Sequence, residues 1–516
     1  MKLCAASLAL MLGAAAAHAA PDAAALYQAH CASCHGSDRF GAVGPALLPE
    51  NLGRLGKPGA QAVIRDGRAG TKMQGFKAAL DDESIKALAA YVTSPPATAP
   101  VWGRAQIEAS RVLTPEPPAA KPVYSADPLN LFVVVEGGDH HVSIVDGDSF
   151  TPIDRFASRF ALHGGPKFTP DGRYVFFSSR DGWVTKFDLW TLKVTAEIRA
   201  GLNSRNIALS KDGRHVAVAN YLPDTLVILS AADLSVEKIF DVADRNGKAS
   251  RVSAVYQAPP RNSFIAALKD APEIWEISCD PNAPPVYPGF VHSYESGMKE
   301  ALGSTRGLFA LRRIEISSPL DDFFFDPSYR YVLGAHRDGD KAVVVHLDIG
   351  AEIATIPLPG MPHLGSGISW MRDGRVVMAT PHLKDGKISV IDTTDWKLIA
   401  EIPTPGPGYF LRSHDNTPYA WADSSLSPQH RDEISIIDKQ SLKVVRTLKP
   451  APGKMTAHVE FDRSGKHALV SVMEKDGAVI VYDAATLQEI KRLPMSKPIG
   501  KYNVYNKITF SEGTSH

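Results

Sequence analysis

Cysteine is scarce: the 516 residues contain four. Cys4 belongs to the apolar N-terminal run and Cys279 stands alone far down the chain, which excludes a framework of intrachain disulfides and leaves Cys279 as a packed core residue. Long hydrophobic runs are missing as well. No stretch approaches the about 18 continuous apolar residues that a membrane-spanning helix needs. Charge of one sign is also lacking. The 56 basic side chains balance 56 acidic ones, which argues against general binding to nucleic acid or to an anionic membrane surface. Histidine is sparse, at 17 residues, so the place of each one carries weight.

The first 20 residues have the form of a secretory signal: Lys2, a short apolar run over Leu8 to Ala17, and the small-residue site Ala17-His18-Ala19. They predict a soluble, periplasmic mature protein that begins after Ala19 or Ala20. Shortly after comes Cys31-Ala32-Ser33-Cys34-His35. Two thiols at this spacing add across the two vinyl groups of one haem, and the adjacent histidine reaches the iron. A zinc site would need further ligands at suitable spacing, and a thioredoxin-like site would need a βαβ setting; neither is present. The motif predicts covalent haem c on Cys31 and Cys34, and a chain that carries electrons.

The grammar of the sequence changes once. Residues 21–95 read as helical, with a helix over Asp81 to Val92 whose acidic first turn suits the helix dipole and whose Ile85, Leu88, Ala89 and Val92 share one face. This segment resembles a small class I cytochrome c. The resemblance implies His35 as the proximal iron ligand and Met73, in the loop before that helix, as the distal one. Residues 96–125 are Pro-rich and read as a semi-extended linker with one helical turn near Ile107 to Val112. From residue 126 to 516 a β pattern repeats: a turn such as Asp171-Gly172-Arg173 opens a strand, a polar turn follows, and a Val/Ile-rich strand ends in Asp. Copies begin at Asp212-Gly213-Arg214, Tyr329-Arg330, Asp373-Gly374-Arg375 and Ser464-Gly465-Lys466. A period of about 40 residues is that of a four-stranded propeller blade, and the copies predict an all-β eight-bladed β-propeller in which the strand near Leu131 shares a blade with the C-terminal segment.

Histidines recur in the inter-strand loops, in Leu162-His163-Gly164-Gly165-Pro166, Ala335-His336-Arg337, Pro362-His363, Ser413-His414-Asp415, Gln429-His430-Arg431 and Ala457-His458. A lone loop histidine is usually only hydrogen-bonded or solvated. Loops from successive blades nevertheless converge on the axis of a propeller, where a cofactor can sit. The order of haem c segment, Pro-rich linker and eight-bladed propeller resembles the cytochrome cd1 family, whose propeller binds haem d1, and the likeness covers nearly the whole mature chain. It is carried by Ala161-Leu162-His163 through Arg180-Asp181-Gly182-Trp183 to Asp188-Leu189-Trp190, by Ser204-Arg205-Asn206-Ile207, by Ala219-Asn220-Tyr221-Leu222-Pro223 and by the closing Gly500-Lys501-Tyr502-Asn503-Val504-Tyr505-Asn506. The resemblance implies His163 as an iron ligand of the d1 group, with Arg205, Tyr221, Arg251 and Lys269 facing it. Arginine suits a ligand that carries several carboxylates, because it pairs with them in a bidentate fashion.

One departure from the family chooses between its branches. The nitrite reductases of the family hold two histidines over the d1 iron. One matches His363; at the place of the other this chain has Leu320-Asp321-Asp322, with Asp321 nearest it, and no histidine occurs between His292 and His336. The chain therefore resembles the dehydrogenase branch that completes d1 synthesis, oxidising a propionate of dihydro-haem d1 to the acrylate. In that reading the tetrapyrrole is substrate and product. His336 is a second ligand on its iron, and His336, His363, His414 and His430 compete, with His458, to collect a substrate proton. Electrons leave through haem c to a periplasmic acceptor, and nitrite reductase and other d1 assembly proteins are the expected partners. A nitrite reductase forming nitric oxide and a non-enzymatic d1 carrier are the alternatives.

Overall fold

The chain divides into two units, Met1–Pro96 and Ala97–His516. A computed structural model describes residues 21–514 except 43, 54, 69–72, 116–118, 288–303 and 338; the expected secretory signal lies outside them.

The first unit is helical. Its last long helix, Asp82–Thr93, starts at the cap residue Asp81, which accepts from the Ser84 N–H at 2.8 Å, and buries Ile85, Leu88, Ala89 and Val92. That face packs on Tyr27 and Cys31 of the haem-motif segment and on Ala60 and Ile64 of the helix Gly56–Asp66. Buried Arg39 ties the motif to the far end of the last helix by donating to the carbonyls of Tyr91 and Ser94.

The second unit is an eight-bladed propeller: among the described residues, eight antiparallel sheets, seven of four strands and one of five. The Asp-Gly-Arg turns build them. Asp171 and Asp212 accept from the N–H two residues on, and Gly172 and Gly213 take φ near 70° (73° and 71°), which glycine reaches without strain. Inner strands such as Leu131–Glu136 are buried along their whole length, whereas outer strands such as Lys443–Leu448 keep charged residues in water. Clusters of side chains between neighbouring blades form the core; Leu226 and Ile228 of one blade meet Phe264 and Trp275 of the next. The ring closes where Pro498–Asn503 pairs with Leu131–Glu136, with Tyr502 opposite Val133. The Pro-rich stretch expected as a linker carries ordered structure on the propeller: Trp102 donates to the Arg199 carbonyl, and Val112–Leu113 adds a fifth strand to one blade's outer edge.

Every innermost strand starts at the same end of the propeller, hereafter the mouth. The loops entering those strands, and those leaving each second strand, gather there, and the geometry of the site follows from this placement.

Candidate functional site

In the first unit the haem motif occupies one turn of chain. Asp22 caps the helix Ala23–His30, Cys31 ends it, and Cys34 and His35 lie on the short helix Ala32–His35 that follows. Cys31 is buried, which pushes its thiol up to about 11, while Cys34 is exposed. The buried His35 donates from Nδ1 to the Pro45 carbonyl at 2.8 Å. A carbonyl only accepts, so Nδ1 carries the proton and Nε2 the lone pair, as an iron ligand requires. Burial also holds this imidazole below its usual pKa, in the neutral form. Gly44 is needed beside it, since a Cβ there would fall 2.7 Å from the ring. Met73 is half-buried in a loop pinned by the Arg68 N–H, which donates to the Met73 carbonyl at 2.9 Å. Two thiols, an imidazole with a fixed tautomer and a thioether are groups of the kinds that bind a covalent haem c.

At the propeller mouth His163 repeats the device. Its Nδ1 donates to the Arg205 carbonyl at 2.8 Å, and its Nε2 accepts from Arg180 Nη2 at 2.8 Å. The glycines after it serve packing within the protein: a Cβ on Gly164, at φ 84°, would lie 2.6 Å from Asn206 Cβ, and one on Gly165 would lie 3.2 Å from the Tyr502 ring. Arg205 stands on the innermost strand Asn203–Leu209, donates from Nε to the Ser253 carbonyl at 3.0 Å and approaches Asp322 at 3.6 Å. Asp322 also accepts from the Tyr256 hydroxyl at 2.9 Å. His363, on the loop entering the next blade, donates from Nδ1 to the Tyr409 carbonyl at 2.7 Å; burial lowers its pKa even though the Asp322 carboxylate pulls the other way. It too presents a neutral Nε2.

Tyr221, Arg251 and Lys269 form one group at the mouth. Arg251 and Lys269 each place their charge 5.5 Å from the Tyr221 ring centroid. Both also have carboxylate partners: Arg251 pairs with Asp270 in a bidentate fashion at 2.8 and 2.7 Å, and Lys269 with Asp321 at 2.7 Å. Asp270 reaches across to Arg337 of the neighbouring blade at 2.9 Å. The hydrogen bonds from Arg251, then those from Arg337, hold the Asp270 carboxyl far below the usual carboxylate range against the opposing effect of burial. Because the folded-state pKa is depressed, the stabilisation is complete above the ordinary aspartate value of about 4 and is lost as pH falls below it. Asp270→Asn is expected to flatten the fall in melting temperature on acidification below about pH 4, which thermal unfolding across pH measures.

The remaining histidines are not brought together equally. His336 ends the second strand Tyr331–His336, buried at the mouth end and paired with Leu320. His430 lies in the mouth-end loop 424–433, half exposed, with Nδ1 3.1 Å from Glu433. His458 is buried on the innermost strand Thr456–Phe461. His414 follows the innermost strand Leu411–Arg412 and therefore stands at the opposite end of the propeller, where its Nδ1 accepts from the Asn416 N–H at 3.1 Å and its ring fills the space over Gly465. The structure separates His414 from the mouth histidines. Arg180, Tyr256, Asp322 and the Tyr409–Phe410 pair were missed as site residues. Arg180 lay within a motif already singled out and Asp322 beside Asp321, whereas nothing local marks Tyr256.

The family model for the cytochrome D1 heme domain matches residues 126–293 and 304–507, and that for cytochrome c oxidase, cbb3-type, subunit III matches residues 18–92. The chain is similar to dihydro-heme d1 dehydrogenase of Pseudomonas aeruginosa, at 54% identity over 100% of both chains. It is also similar to nitrite reductase of Stutzerimonas stutzeri, at 26% identity over 94% of this chain and 92% of the other. Among solved structures, dihydro-heme d1 dehydrogenase NirN in complex with DHE matches with a TM-score of 0.87 at 54% identity, covering 94% of this chain and 99% of that one.

Proposed function

The chain belongs to the cytochrome d1 heme domain family, and from that premise we propose that it is an oxidoreductase of haem d1 biosynthesis which oxidises the propionate side chain of dihydro-haem d1 to the acrylate. The observation that carries this reading is the pair Asp321–Asp322 where the nitrite reductases have a histidine. Asp321 is committed to Lys269, and Asp322 to Tyr256 and Arg205. Residues 320–322 therefore supply no imidazole to protonate nitrite; the imidazole opposite Leu320 is that of His336, on the second strand of the same blade.

Turning a CH₂–CH₂ unit into CH=CH removes two protons and two electrons, so the site must bind an iron tetrapyrrole, accept protons and provide an electron outlet. His163 would bind the iron through Nε2 once Arg180 gave up that atom, and Arg180 and Arg205, both beside this ring, would then pair with carboxylates of the substrate. Arg251, Lys269 and Tyr221 form the wall on one side. Of the proton acceptors, His336, His363 and His430 stand at the mouth end, and we assign the role to this group, with His336 also the candidate second iron ligand. His363 is neutral at pH 7 with an available lone pair, as a base must be. His414 is left out because it lies at the other end. Haem c, when bound, supplies an outlet for one electron at a time, and Cys31, Cys34, His35 and Met73 would hold it.

Attachment of haem to Cys-x-x-Cys-His occurs outside the bacterial cytoplasm, which supports a periplasmic place of action and a periplasmic electron acceptor; nitrite reductase and other d1 assembly proteins are the partners that would take the product. Among the described residues no helix is long and apolar enough to cross a membrane.

The test mixes the haem c-loaded protein with dihydro-haem d1. Conversion of the tetrapyrrole spectrum to that of d1, with reduction of haem c, is expected. Nitric oxide formation from nitrite with d1 permanently bound would replace this reading with a nitrite reductase, and transfer of unchanged d1 to another protein would replace it with a carrier.

A further inference from the structure

Three cations of the mouth already have a carboxylate of the protein beside them: Arg251 has Asp270 at 2.7 Å, Lys269 has Asp321 at 2.7 Å, and Arg205 has Asp322 at 3.6 Å. The first two are hydrogen-bonded pairs, in which cation and anion place one another. The third differs. At 3.6 Å Arg205 Nη2 and the Asp322 carboxylate stand beyond hydrogen-bond distance, and each is fixed by other groups.

A bulge explains where Asp322 stands. Where the innermost strand Leu320–Phe325 pairs with Tyr331–His336, Leu320 faces His336 and Asp322 faces Ala335, so Asp321 is an extra residue. Neighbours on a regular strand point to opposite faces. Across this bulge both carboxylates reach the preceding blade, Asp321 to Lys269 and Asp322 to Tyr256 of the innermost strand Val252–Ala258. Asp322 is 7% exposed. Its Oδ1 accepts from the Tyr256 hydroxyl at 2.9 Å and from the Phe323 N–H at 2.9 Å. Its Oδ2 lies where a Cβ on Gly365 would fall 2.1 Å away, a space that only glycine leaves open. Arg205 takes its own hold at 3.0 Å from the carbonyl of Ser253, itself the extra residue of a bulge between Val252 and Ala254. None of the hydrogen bonds to Asp322 comes from Arg205, so the carboxylate keeps its place when Arg205 turns to an incoming group.

We propose that Asp322 limits how tightly the mouth holds the tetrapyrrole, so that a product leaves instead of staying as a permanent cofactor. The inference rests on the proposed function, in which Arg205 pairs with a carboxylate of the substrate. Any carboxylate that Arg205 takes up meets the fixed charge of Asp322 across the same guanidinium. In a buried setting, where the effective dielectric is far below that of water, two like charges so placed repel strongly. Asp322 thus offsets part of what Arg205 contributes to binding.

Asp322→Asn tests this, because the amide oxygen keeps an acceptor for Tyr256 and the Phe323 N–H while the charge is lost. The full chain loaded with haem c is titrated optically with dihydro-haem d1 and with its methyl ester, and release of bound d1 to excess apomyoglobin is timed. The variant is expected to bind the acid form about tenfold more tightly than the wild type and to release d1 about tenfold more slowly. The ester, which carries no carboxylate charge, is expected to bind both proteins alike, whereas a merely structural change would move acid and ester together. Unchanged or weaker binding of the acid form, unchanged release, or an equal tightening for the ester overturns the proposal. Asp322→Ser, smaller and uncharged, serves if Asp322→Asn does not fold. A wild type that binds dihydro-haem d1 without converting it overturns the proposed reaction alone, and the comparison of acid with ester still decides the role of Asp322.

Discussion

His163→Ala is expected to weaken binding of dihydro-haem d1 by about a hundredfold or more and to abolish its conversion, while the haem c content and spectrum stay as in the wild type. The reason lies in the hydrogen bonds of this imidazole. The Arg205 carbonyl holds the proton on Nδ1, so Nε2 faces the mouth as a neutral donor atom. Alanine removes that atom and leaves the Arg205 carbonyl with one acceptor position unfilled, and nothing else at the mouth offers an imidazole held by the same carbonyl. Added imidazole should restore part of the affinity by filling the space left behind. Optical titration gives the affinity and the haem c band gives the electron count. Binding and conversion both unchanged in His163→Ala would show that another residue holds the iron and would redirect the assignment towards His336.

The second large effect concerns the other unit. Replacing Cys31 and Cys34 together with alanine is expected to yield protein without covalent haem and with essentially no turnover, yet with dihydro-haem d1 affinity close to that of the wild type. The propeller has its own core clusters and closes its ring with its own C-terminal strand, so its mouth does not depend on the thiols. In the first unit Cys31 is part of the hydrophobic core with Tyr27, Ile85 and Leu88, and alanine there keeps an apolar contact of smaller volume. Haem content by denatured spectrum, tetrapyrrole affinity by titration and product by absorbance are three separate readouts. Full turnover in the double variant would mean that electrons leave the substrate by a route that bypasses haem c.

The effects of these substitutions follow from features of unequal visibility in the chain. The haem c motif is local: four residues set the spacing of the thiols, and the next residue is the ligand. The face Ile85, Leu88, Ala89 and Val92 was legible for the same reason, since helical periodicity alone puts those side chains together, and all four are buried. The blades were legible because the turn chemistry of Asp-Gly-Arg is complete within three residues, and repetition multiplied a weak signal.

The mouth was legible only in part. His163, Arg205, Tyr221, Arg251 and Lys269 stood out through resemblance to a family. Their hydrogen-bond partners did not, because those partners come from other blades: Tyr256 meets Asp322 across 66 residues and Arg205 reaches its neighbour's Ser253 carbonyl across 48. The loop around His414 looked like the loop around His363. The innermost strand between the mouth and His414, Leu411–Arg412, is two residues long, too short to announce that the chain had crossed to the other end.

The sequence by itself determined that this chain has a covalent haem c motif and an eight-bladed propeller, because both depend on contacts within a few residues or on a repeat. The tertiary structure decided which histidines share the mouth, which nitrogen His163 and His363 present, and which carboxylates meet Arg251 and Lys269. Those depend on strand direction and on carbonyls and carboxylates supplied by neighbouring blades, whose meeting is set by ring closure and leaves no mark in any one stretch of sequence.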